Sequence, residues 1–520
     1  MSSSEALRKY GYVLGLLAIT LSIALGWFLL DGHIGFNLAD EGFLWYGSEA
    51  LSRGEVPMRD FESYDPGRYV WTAAWSALLG HSLIALRLSC VFFQCLGVLA
   101  GLLTMRRVSR NWFFLFAVGL LLSSWMHPRY KLFEQSISLM AVYAAVLLLE
   151  NPTPRRHWYV GVFGGLCAFF GRNHGAYHLF AFGLLIAIAA WRSSWRDGFQ
   201  RYFLWGCGLF AGYLPQLLMF AFIPGFFRAF TPYVQAIASN GTNLSRPVPW
   251  PWLIPTSQSA YTFASNFALG CFFVALPAFL VFGCLRLWQL RRNNAAPSRL
   301  LLATACVTLP YTHYAFSRPD VVHLAHAGAV AVLGLLAVAF TLPRAGQRLA
   351  YLSLPLLLVA TVLSQLSQIG FAFQCLAPKQ AKFEVSLGDE RMLLSSFHAH
   401  ALLSAQYIVK HLAKPDEGVF FAPHTPGLYP FTGRRSPTNQ IYFVFPASAE
   451  ADQHLVDELK EANVQWAMIE DYALDGRDDL RFQHTNPLVY AYLRKNFDSV
   501  NLETLPGDIV LLHRAPTPKT

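Results

Sequence analysis

Long apolar segments separated by short polar ones occupy the first three quarters of the chain. The first, from Gly11 to Leu30, has 20 residues and no charge, enough to cross a hydrocarbon layer of about 30 Å at about 1.5 Å per residue. Ten further apolar runs lie near residues 88–105, 112–127, 132–149, 158–171, 176–191, 202–223, 263–285, 300–316, 321–342 and 349–376. The pattern predicts an α-helical polytopic membrane protein with about eleven transmembrane helices. Three runs are short, near 112–127, 158–171 and 300–316.

The last quarter of the chain is polar and alternates between strand-like and helix-like patterns. Strands are predicted at 418–422, 464–470 and 508–512, and helices at 452–463 and 487–497. An amphipathic helix is expected over about 391–412. Alternating short strands and helices are typical of a small α/β domain. The predicted division is a transmembrane module over residues 1–377, which includes a first outer loop at 31–67, and an α/β domain over 378–520.

Composition and charge agree with a membrane protein and exclude several other classes. The chain is 54% hydrophobic and 14% charged, with a mean hydropathy of +0.35, whereas a soluble chain carries about a quarter charged residues. The formal charge of +9 does not indicate nucleic-acid binding, because the basic excess lies between the apolar runs. Residues 378–520 hold 14 Lys or Arg against 18 Asp or Glu.

The eight cysteines lie in or beside apolar runs, and none has a CxxC spacing. We interpret them as packing residues, with no disulfide framework and no zinc site.

The positions of Lys and Arg predict the orientation in the membrane. Alternate connecting segments carry 16 basic residues and only three acids, Glu5, Glu150 and Asp197. The positive-inside rule places this set in the cytoplasm. With an odd number of spans, the N-terminus is then cytoplasmic and the polar tail is extracytoplasmic, or periplasmic in a bacterium with an inner membrane.

Acids, bases and histidines gather at the outer boundary of this topology. They are Asp40, Glu41, Lys131, Glu134, Arg172, Asn173, His174, Arg318, Asp320 and His323. Ionisable groups at membrane depth are costly and mark functional sites by default. We therefore expect an outward polar cavity, with a carboxylate able to remove a proton and cations able to bind a phosphate.

The first outer loop carries a combination of motifs with a family resemblance. Asp40-Glu-Gly-Phe-Leu-Trp-Tyr46, Gly54-Glu-Val-Pro-Met-Arg-Asp-Phe61, Tyr64-Asp-Pro-Gly-Arg-Tyr69 and Ala85-Leu-Arg-Leu88 together resemble the first loop of GT-C glycosyltransferases. These polytopic enzymes use polyprenyl-phosphate sugars and include the aminoarabinose transferases of lipid A and the protein O-mannosyltransferases. Arg172-Asn-His-Gly-Ala-Tyr177 and Arg318-Pro-Asp-Val-Val-His323 resemble two further family elements, and the tail resembles the outward C-terminal domain. Asp65-Pro-Gly-Arg68 departs from the usual Pro-Pro-Leu-like stretch, and Asn173 and His174 stand where an acid is common.

The resemblance implies an inverting glycosyl transfer on the outer face of the cell inner membrane. Asp40 would be the general base, with Glu41 as the alternative base or a supporting residue. The donor phosphate or sugar would contact Lys131, Arg172, His174, Arg318, Asp320, His323 and Arg68. The implied partners are a polyprenyl-phosphate-linked sugar, membrane lipid, and a lipid, glycan or protein acceptor. No catalytic metal or other cofactor is predicted, although some family members need a divalent ion.

Each candidate residue also has a structural interpretation. Asp40 could cap a helix, and Lys131 could reach the lipid headgroups or pair with Glu134. Arg68 and Arg172 could contact lipid headgroups or form ion pairs. Arg318 and Asp320 could form a structural ion pair. His174 and His323 could be buried between helices with their ring nitrogens hydrogen-bonded.

Two other functions remain open at this point. A lipid or sugar transporter would show polar groups at mid-membrane and internal repeats, and neither is evident. A lipid-linked polysaccharide ligase or polymerase would share the outward arginines and histidines, but the first-loop acids and the α/β tail favour the transferase.

Overall fold

A computed structural model describes residues 3–191, 193–240, 244–296, 298–365, 382–388 and 390–515. Fifteen α-helices precede the tail in this part of the chain. They are α1 Ser3–Asp31, α2 Asp40–Ser52, α3 Pro66–Leu79, α4 Leu83–Met105, α5 Trp112–Ser124, α6 Leu132–Glu150, α7 Pro154–Phe170, α8 Arg172–Ala190, α9 Trp195–Gly212, α10 Leu214–Phe222, α11 Phe226–Asn240, α12 Ala260–Arg292, α13 Arg299–Ser317, α14 Val321–Phe340 and α15 Arg344–Ser364. Single 3-10 turns lie at Arg129–Lys131 and Pro251–Leu253.

The chain divides into two compact units. Unit 1 comprises Met1–Leu30 and Arg87–Phe373, and unit 2 comprises Asp31–Leu86 and Gln374–Thr520. The predicted boundary at 377/378 lies outside the described residues. The sequence analysis grouped loop 31–67 with the transmembrane module, whereas the structure groups residues 31–86 with the tail. The backbone explains this difference, since Leu393 exchanges hydrogen bonds with Gly35 and His33 at 2.9 Å each.

Each of the eleven apolar runs contains a helix, but fewer helices are long and apolar enough to cross a membrane. In the described part of the chain seven helices qualify, or eight if the bent pair α9 and α10 is counted as one span. The predicted count of about eleven is therefore too high. The difference comes from three helices that do not qualify: α5 has 13 residues, α7 has 17, and α13 has 19 with a polar C-terminal half.

Unit 1 is a helical bundle in which α13 and α14 pack against α6, α8 and α12. Its closest helix pair is α7 and α9. Gly161 and Gly165 of α7 face the backbone of α9, and Gly208 and Gly212 of α9 face the backbone of α7. A Cβ atom at any of the four would collide with a carbonyl oxygen of the other helix. This reciprocal small-residue packing is how membrane helices approach closely without a hydrophobic driving force.

Unit 2 contains a four-stranded mixed sheet with the order β3-β4-β6-β5 and a separate hairpin β1-β2. The strands are β1 Lys382–Leu387, β2 Glu390–Ser395, β3 Gly418–Ala422, β4 Val464–Glu470, β5 Phe497–Val500 and β6 Ile509–Arg514. Strands β3 and β4 are parallel, and β6 is antiparallel to both β4 and β5. The helices of the tail are Ser396–Tyr407, Leu428–Thr432, Ala449–Glu461, Phe482–Thr485 and Pro487–Asn496, with a π-helical turn at Ile408–Leu412 and 3-10 turns at Leu474–Gly476 and Asp478–Leu480.

The small α/β domain predicted for the tail is confirmed. Its core is formed where two helices cover the sheet, with Leu455, Leu459 and Leu493 packed against Phe420 and Phe497. The helix expected over 391–412 is wrong in its first part. Residues 390–395 form β2 because their alternating side chains pair with β1, and the helix begins at Ser396.

Candidate active site

In unit 2 the predicted base is held at the start of α2. Asp40 and Glu41 are its first two residues, where acidic groups complement the partial positive charge of a helix N-terminus. The Asp40 N–H donates to Asn37 Oδ1 at 2.8 Å, and the Asn37 N–H donates to Glu41 Oε2 at 3.3 Å. Asp40 does not occupy the N-cap position, which belongs to Ala39. Glu41 is buried and braces the turn, which fits a supporting role.

Arg68 lies in the first turn of α3 and is also buried. Its guanidinium carbon is 4.4 Å from the centre of the Tyr64 ring, a cation–π distance. The neighbouring Tyr69 is fully buried, and its hydroxyl accepts a hydrogen bond from the Tyr64 N–H at 3.1 Å. Arg68 is therefore fixed by packing against an aromatic ring.

A histidine that the sequence analysis did not single out lies near Asp40. His424 is 6% exposed, and it interacts electrostatically with Asp40. Burial lowers the pKa of His424 to about 4, although the Asp40 carboxylate opposes that effect. The two residues are almost 400 positions apart, so only the tertiary structure relates them.

In unit 1 the remaining predicted residues lie at the ends of four packed helices. Lys131 directly precedes α6, Arg172 begins α8, and Arg318 and Asp320 connect α13 to α14. Because α13 packs against α6, α8 and α14, these ends form one region of the bundle. The sequence analysis predicts that they gather at the outer boundary of the membrane, and that location stays a prediction.

Arg318, Asp320 and His323 form a connected set. Arg318 Nε donates to Asp320 Oδ2 at 2.9 Å, and Asp320 Oδ1 accepts from the His323 N–H at 2.9 Å. The same oxygen lies 2.8 Å from His323 Nδ1. Asp320 thus caps α14 and fixes the His323 ring. The ion pair between Arg318 and Asp320 that the sequence analysis considered is therefore formed.

Stacked rings connect His323 to His174. Tyr314 stacks on His323 with ring centres 5.7 Å apart and on His174 with centres 6.4 Å apart. His174 Nδ1 is 2.8 Å from the Tyr311 hydroxyl. His174 is 2% exposed and therefore belongs to the packed interior. The sequence analysis missed both tyrosines, although their i, i+3 spacing on α13 places them on one helix face.

His326 is the second histidine that the sequence analysis missed, and it lies at the centre of this cluster. It is 2% exposed and 4.4 Å from Tyr314 between ring centres. Electrostatic interactions relate His326 to Glu134, His323, His174 and Lys131. The sequence did contain a sign of this position, because His326 is three residues after His323 and so lies on the same face of the helix. A buried group that interacts electrostatically with so many ionisable side chains indicates a polar site rather than a simple helix core.

Arg172 faces aromatic rings of α11. Its guanidinium carbon lies 5.5 Å from the Phe230 ring and 5.6 Å from the Tyr233 ring. Within the described residues no group of three or more His, Cys, Asp or Glu is arranged to hold a metal ion.

Comparison with known proteins gives matches to solved structures. No protein-family model and no curated protein sequence matches the chain. The structure of ArnT from Cupriavidus metallidurans bound to undecaprenyl phosphate is 13% identical with a TM-score of 0.53, covering 98% of both chains. ArnT in its apo state is 12% identical with a TM-score of 0.52, covering 97% of this chain and 98% of that one. The apo oligosaccharyltransferase of Archaeoglobus fulgidus is 11% identical with a TM-score of 0.47, covering 99% of this chain and 77% of the other.

The match to ArnT extends over nearly the whole of both chains, and so includes both units. At this level of identity it establishes the fold. The chain is a helical multi-pass membrane protein with the GT-C fold, as the first-loop resemblance predicted.

Proposed function

We propose that this protein is a membrane glycosyltransferase that moves a sugar from a polyprenyl-phosphate donor to an acceptor hydroxyl with inversion. The observation that carries the proposal is the buried cluster of histidines and cations at one end of an apolar helix bundle, in a fold shared with ArnT. The solved ArnT structure holds undecaprenyl phosphate, which supports a lipid phosphate as part of the donor here. The isoprenoid chain would lie along the apolar helices.

Asp40 is proposed as the general base. A hydroxyl is a weak nucleophile, and a positioned carboxylate that removes its proton during attack typically contributes about 10²–10⁴-fold in rate. Asp40 is partly accessible and held at a helix start by Asn37. Glu41 is buried and bonded to the Asn37 backbone, so we assign it a supporting role.

The donor phosphate is proposed to bind the cations at the helix ends of unit 1. Lys131, Arg172 and Arg318 supply fixed positive charge, and the N-termini of α6, α8 and α14 add partial positive charge from their backbone N–H groups. Such preorganised charge stabilises the leaving phosphate as the sugar–oxygen bond breaks. Because Asp320 holds Arg318 and His323, it would orient the site without contacting substrate. His174 and His323 would contact the phosphate or sugar, and Arg68 would contact the sugar.

The proposed location is the outer face of the cytoplasmic membrane, with residues 378–520 extracytoplasmic. The proposal assigns the base to Asp40 and the phosphate contacts to the cations of unit 1. It requires no divalent metal.

The direct test is transfer by the purified protein in lipid nanodiscs, using a radiolabelled polyprenyl-phosphate sugar and a panel of lipid, glycan and peptide acceptors. Wild-type protein should consume the donor and release polyprenyl phosphate. Asp40→Asn should reduce the rate at least a hundredfold and leave donor binding intact, while Lys131→Gln should raise the donor KM. The control variants Asp498→Asn and Lys495→Gln make the same substitutions at exposed positions of the tail. They should change neither the rate of transfer nor the donor KM.

Several results would contradict the proposal. Donor left intact by wild-type protein with every acceptor would exclude this activity, and full activity of Asp40→Asn would exclude the assigned base. Complete loss of activity in EDTA, restored by magnesium or manganese, would show that a metal is needed after all.

A further inference from the structure

His424 occupies an unusual environment just after β3. It is 6% exposed, and neither ring nitrogen makes a hydrogen bond of normal geometry with the described residues. The ring meets Tyr442 and Tyr472 edge-on, at centre distances of 5.8 and 6.0 Å. A backbone hydrogen bond at Phe443 acts on the ring, but the geometry is poor, and a buried imidazole with poorly satisfied nitrogens costs free energy.

One neighbour of His424 is the start of α2. The Gly427 N–H donates to the Leu38 carbonyl at 2.9 Å, and the backbones of Gly427 and Gly42 approach too closely for a Cβ atom at either position. This contact fixes the segment that carries His424 against the turn that presents Asp40. The electrostatic interaction between Asp40 and His424 follows from that placement.

The other neighbour is Glu470, the last residue of β4. Glu470 Oε2 is 3.9 Å from His424 Nδ1, too long for a hydrogen bond but within reach of a small side-chain shift or one bridging water. The Glu470 side chain is 13% exposed and lines a cavity of about 60 Å³ together with Asp471 and Arg494. His424 therefore interacts electrostatically with Asp40 and lies 3.9 Å from a carboxylate whose side chain is 13% exposed.

We propose that His424 and Glu470 carry the proton accepted by Asp40 to solvent after each transfer. This inference rests on the proposed function, because it requires Asp40 to act as the base. A base that keeps its proton cannot start another turnover, and neighbouring groups that exchange protons give Asp40, which is only partly accessible, a path by which to lose it.

The relay begins with the transfer reaction itself. The acceptor oxygen forms a bond to the anomeric carbon, its proton goes to the Asp40 carboxylate, and the sugar–phosphate bond breaks with its electron pair leaving on the phosphate. Asp40 then gives the proton to one imidazole nitrogen of His424, and the other nitrogen releases its own proton to Glu470. Glu470 passes that proton to water. The nitrogen that received the proton of Asp40 then loses it to water while the other nitrogen regains one from water, which restores the first tautomer.

The acidities of the two groups suit such a relay. Burial lowers the pKa of His424 to about 4, so the imidazole is neutral at pH 7, with one nitrogen free to accept and the other able to donate. Burial, helped by the charge of Asp508, raises the pKa of Glu470 to about 7, so this carboxylate exchanges protons near neutral pH. The ionisable groups around the pair are Asp40, Asp471, Tyr442, Tyr472, Arg494 and Asp508.

The test compares His424→Gln and Glu470→Gln with wild type in the transfer assay. Both variants should lower kcat by roughly tenfold or more and leave the donor KM unchanged. Wild-type kcat should rise through about pH 7 as Glu470 loses its proton, and Glu470→Gln should remove that rise. Added imidazole should restore part of the activity of His424→Ala. His454→Gln is the matched control, because His454 is 73% exposed and lies 3.7 Å from Glu458 in the same unit.

The outcomes separate the two proposals. A wild-type enzyme that transfers sugar while Glu470→Gln keeps full kcat and the same pH profile overturns the relay and leaves the proposed function intact. If His424→Gln or Glu470→Gln changes thermal stability or KM but not kcat, the residue has a structural role, and this result also overturns the relay. A wild-type protein that never consumes donor overturns the proposed function, and the relay with it.

Discussion

At the scale of single residues, unit 2 contains a half-buried carboxylate with a structural role. Glu62 Oε2 accepts hydrogen bonds from the N–H groups of Ile441 and Tyr442 at 3.1 and 3.0 Å. The Glu62 N–H in turn donates to the Asn439 carbonyl at 2.7 Å. These bonds attach the first outer loop to the segment of the tail that carries Tyr442, which is in contact with His424.

Burial raises the pKa of Glu62 to about 7, although its two backbone hydrogen bonds oppose that effect. The folded state therefore binds more protons than the unfolded state between about pH 4.5 and 7, and the unfolding free energy falls as the pH rises through that window. Replacing Glu62 by Gln removes the charge and keeps an acceptor oxygen. We expect Glu62→Gln to unfold at a higher temperature than wild type at pH 7 and at a similar temperature at pH 4.5.

Thermal unfolding of the full-length protein in detergent, measured at both pH values, checks this expectation. The pKa shift corresponds to roughly 1–3 kcal/mol. Glu503→Gln, at an exposed position of the same unit, should show no such pH dependence. Equal behaviour of Glu62→Gln and wild type across the window would contradict the assignment.

At the scale of elements, α2 is positioned by its closest backbone contact. A Cβ atom at Gly42 would collide with the backbone nitrogen and Cα of Gly427. Backbone atoms cannot move aside as a flexible side chain can, so α2 would have to shift, and Asp40 with it.

We therefore expect Gly42→Ala to destabilise unit 2 by about 1–3 kcal/mol, the usual cost of overpacking, and to lower the rate of transfer. Thermal unfolding and hydrogen exchange of α2 and residues 423–432 would measure the change. Gly507→Ala in the same unit, where nothing lies within 4 Å of the added Cβ, is the matched control. Unchanged protection of α2 in Gly42→Ala would show that the contact does not hold the helix.

Elements with a strong local pattern could be predicted, and those that depend on a partner could not. The apolar runs that became β3 and β4 were located to the residue, because a buried strand reads as a continuous apolar run. The strand β2 was taken for a helix although only two residues separate it from its partner β1, so here a local hairpin was overlooked. The close α7–α9 pair had a sequence signal, Gly-x-x-x-Gly in both helices, that the sequence analysis did not use.

At the scale of the whole molecule, the distribution of Lys and Arg predicts the orientation of the chain. The tail has no cysteine beyond Cys375. Labelling of a cysteine introduced there therefore shows on which side of the membrane the tail lies. In a variant without the native cysteines, we expect Asp479→Cys to react with a membrane-impermeant maleimide on intact cells. Arg155→Cys should react only after the membrane is opened. Both positions are exposed, and the reverse labelling would contradict the orientation.

Apolar runs determined the membrane-embedded helices and the α/β tail. The spacing of apolar residues can be read from a short stretch of sequence, and it decides which side chains of a helix or strand are buried. The first-loop motifs determined the fold, which the match to ArnT confirms. Only the tertiary structure joined the first loop to the tail and brought His424 into interaction with both Asp40 and Glu470. It also gathered His174, Tyr314 and His326 from three helices. Such contacts join residues far apart in the chain, and they depend on packing and backbone pairing that no local pattern records.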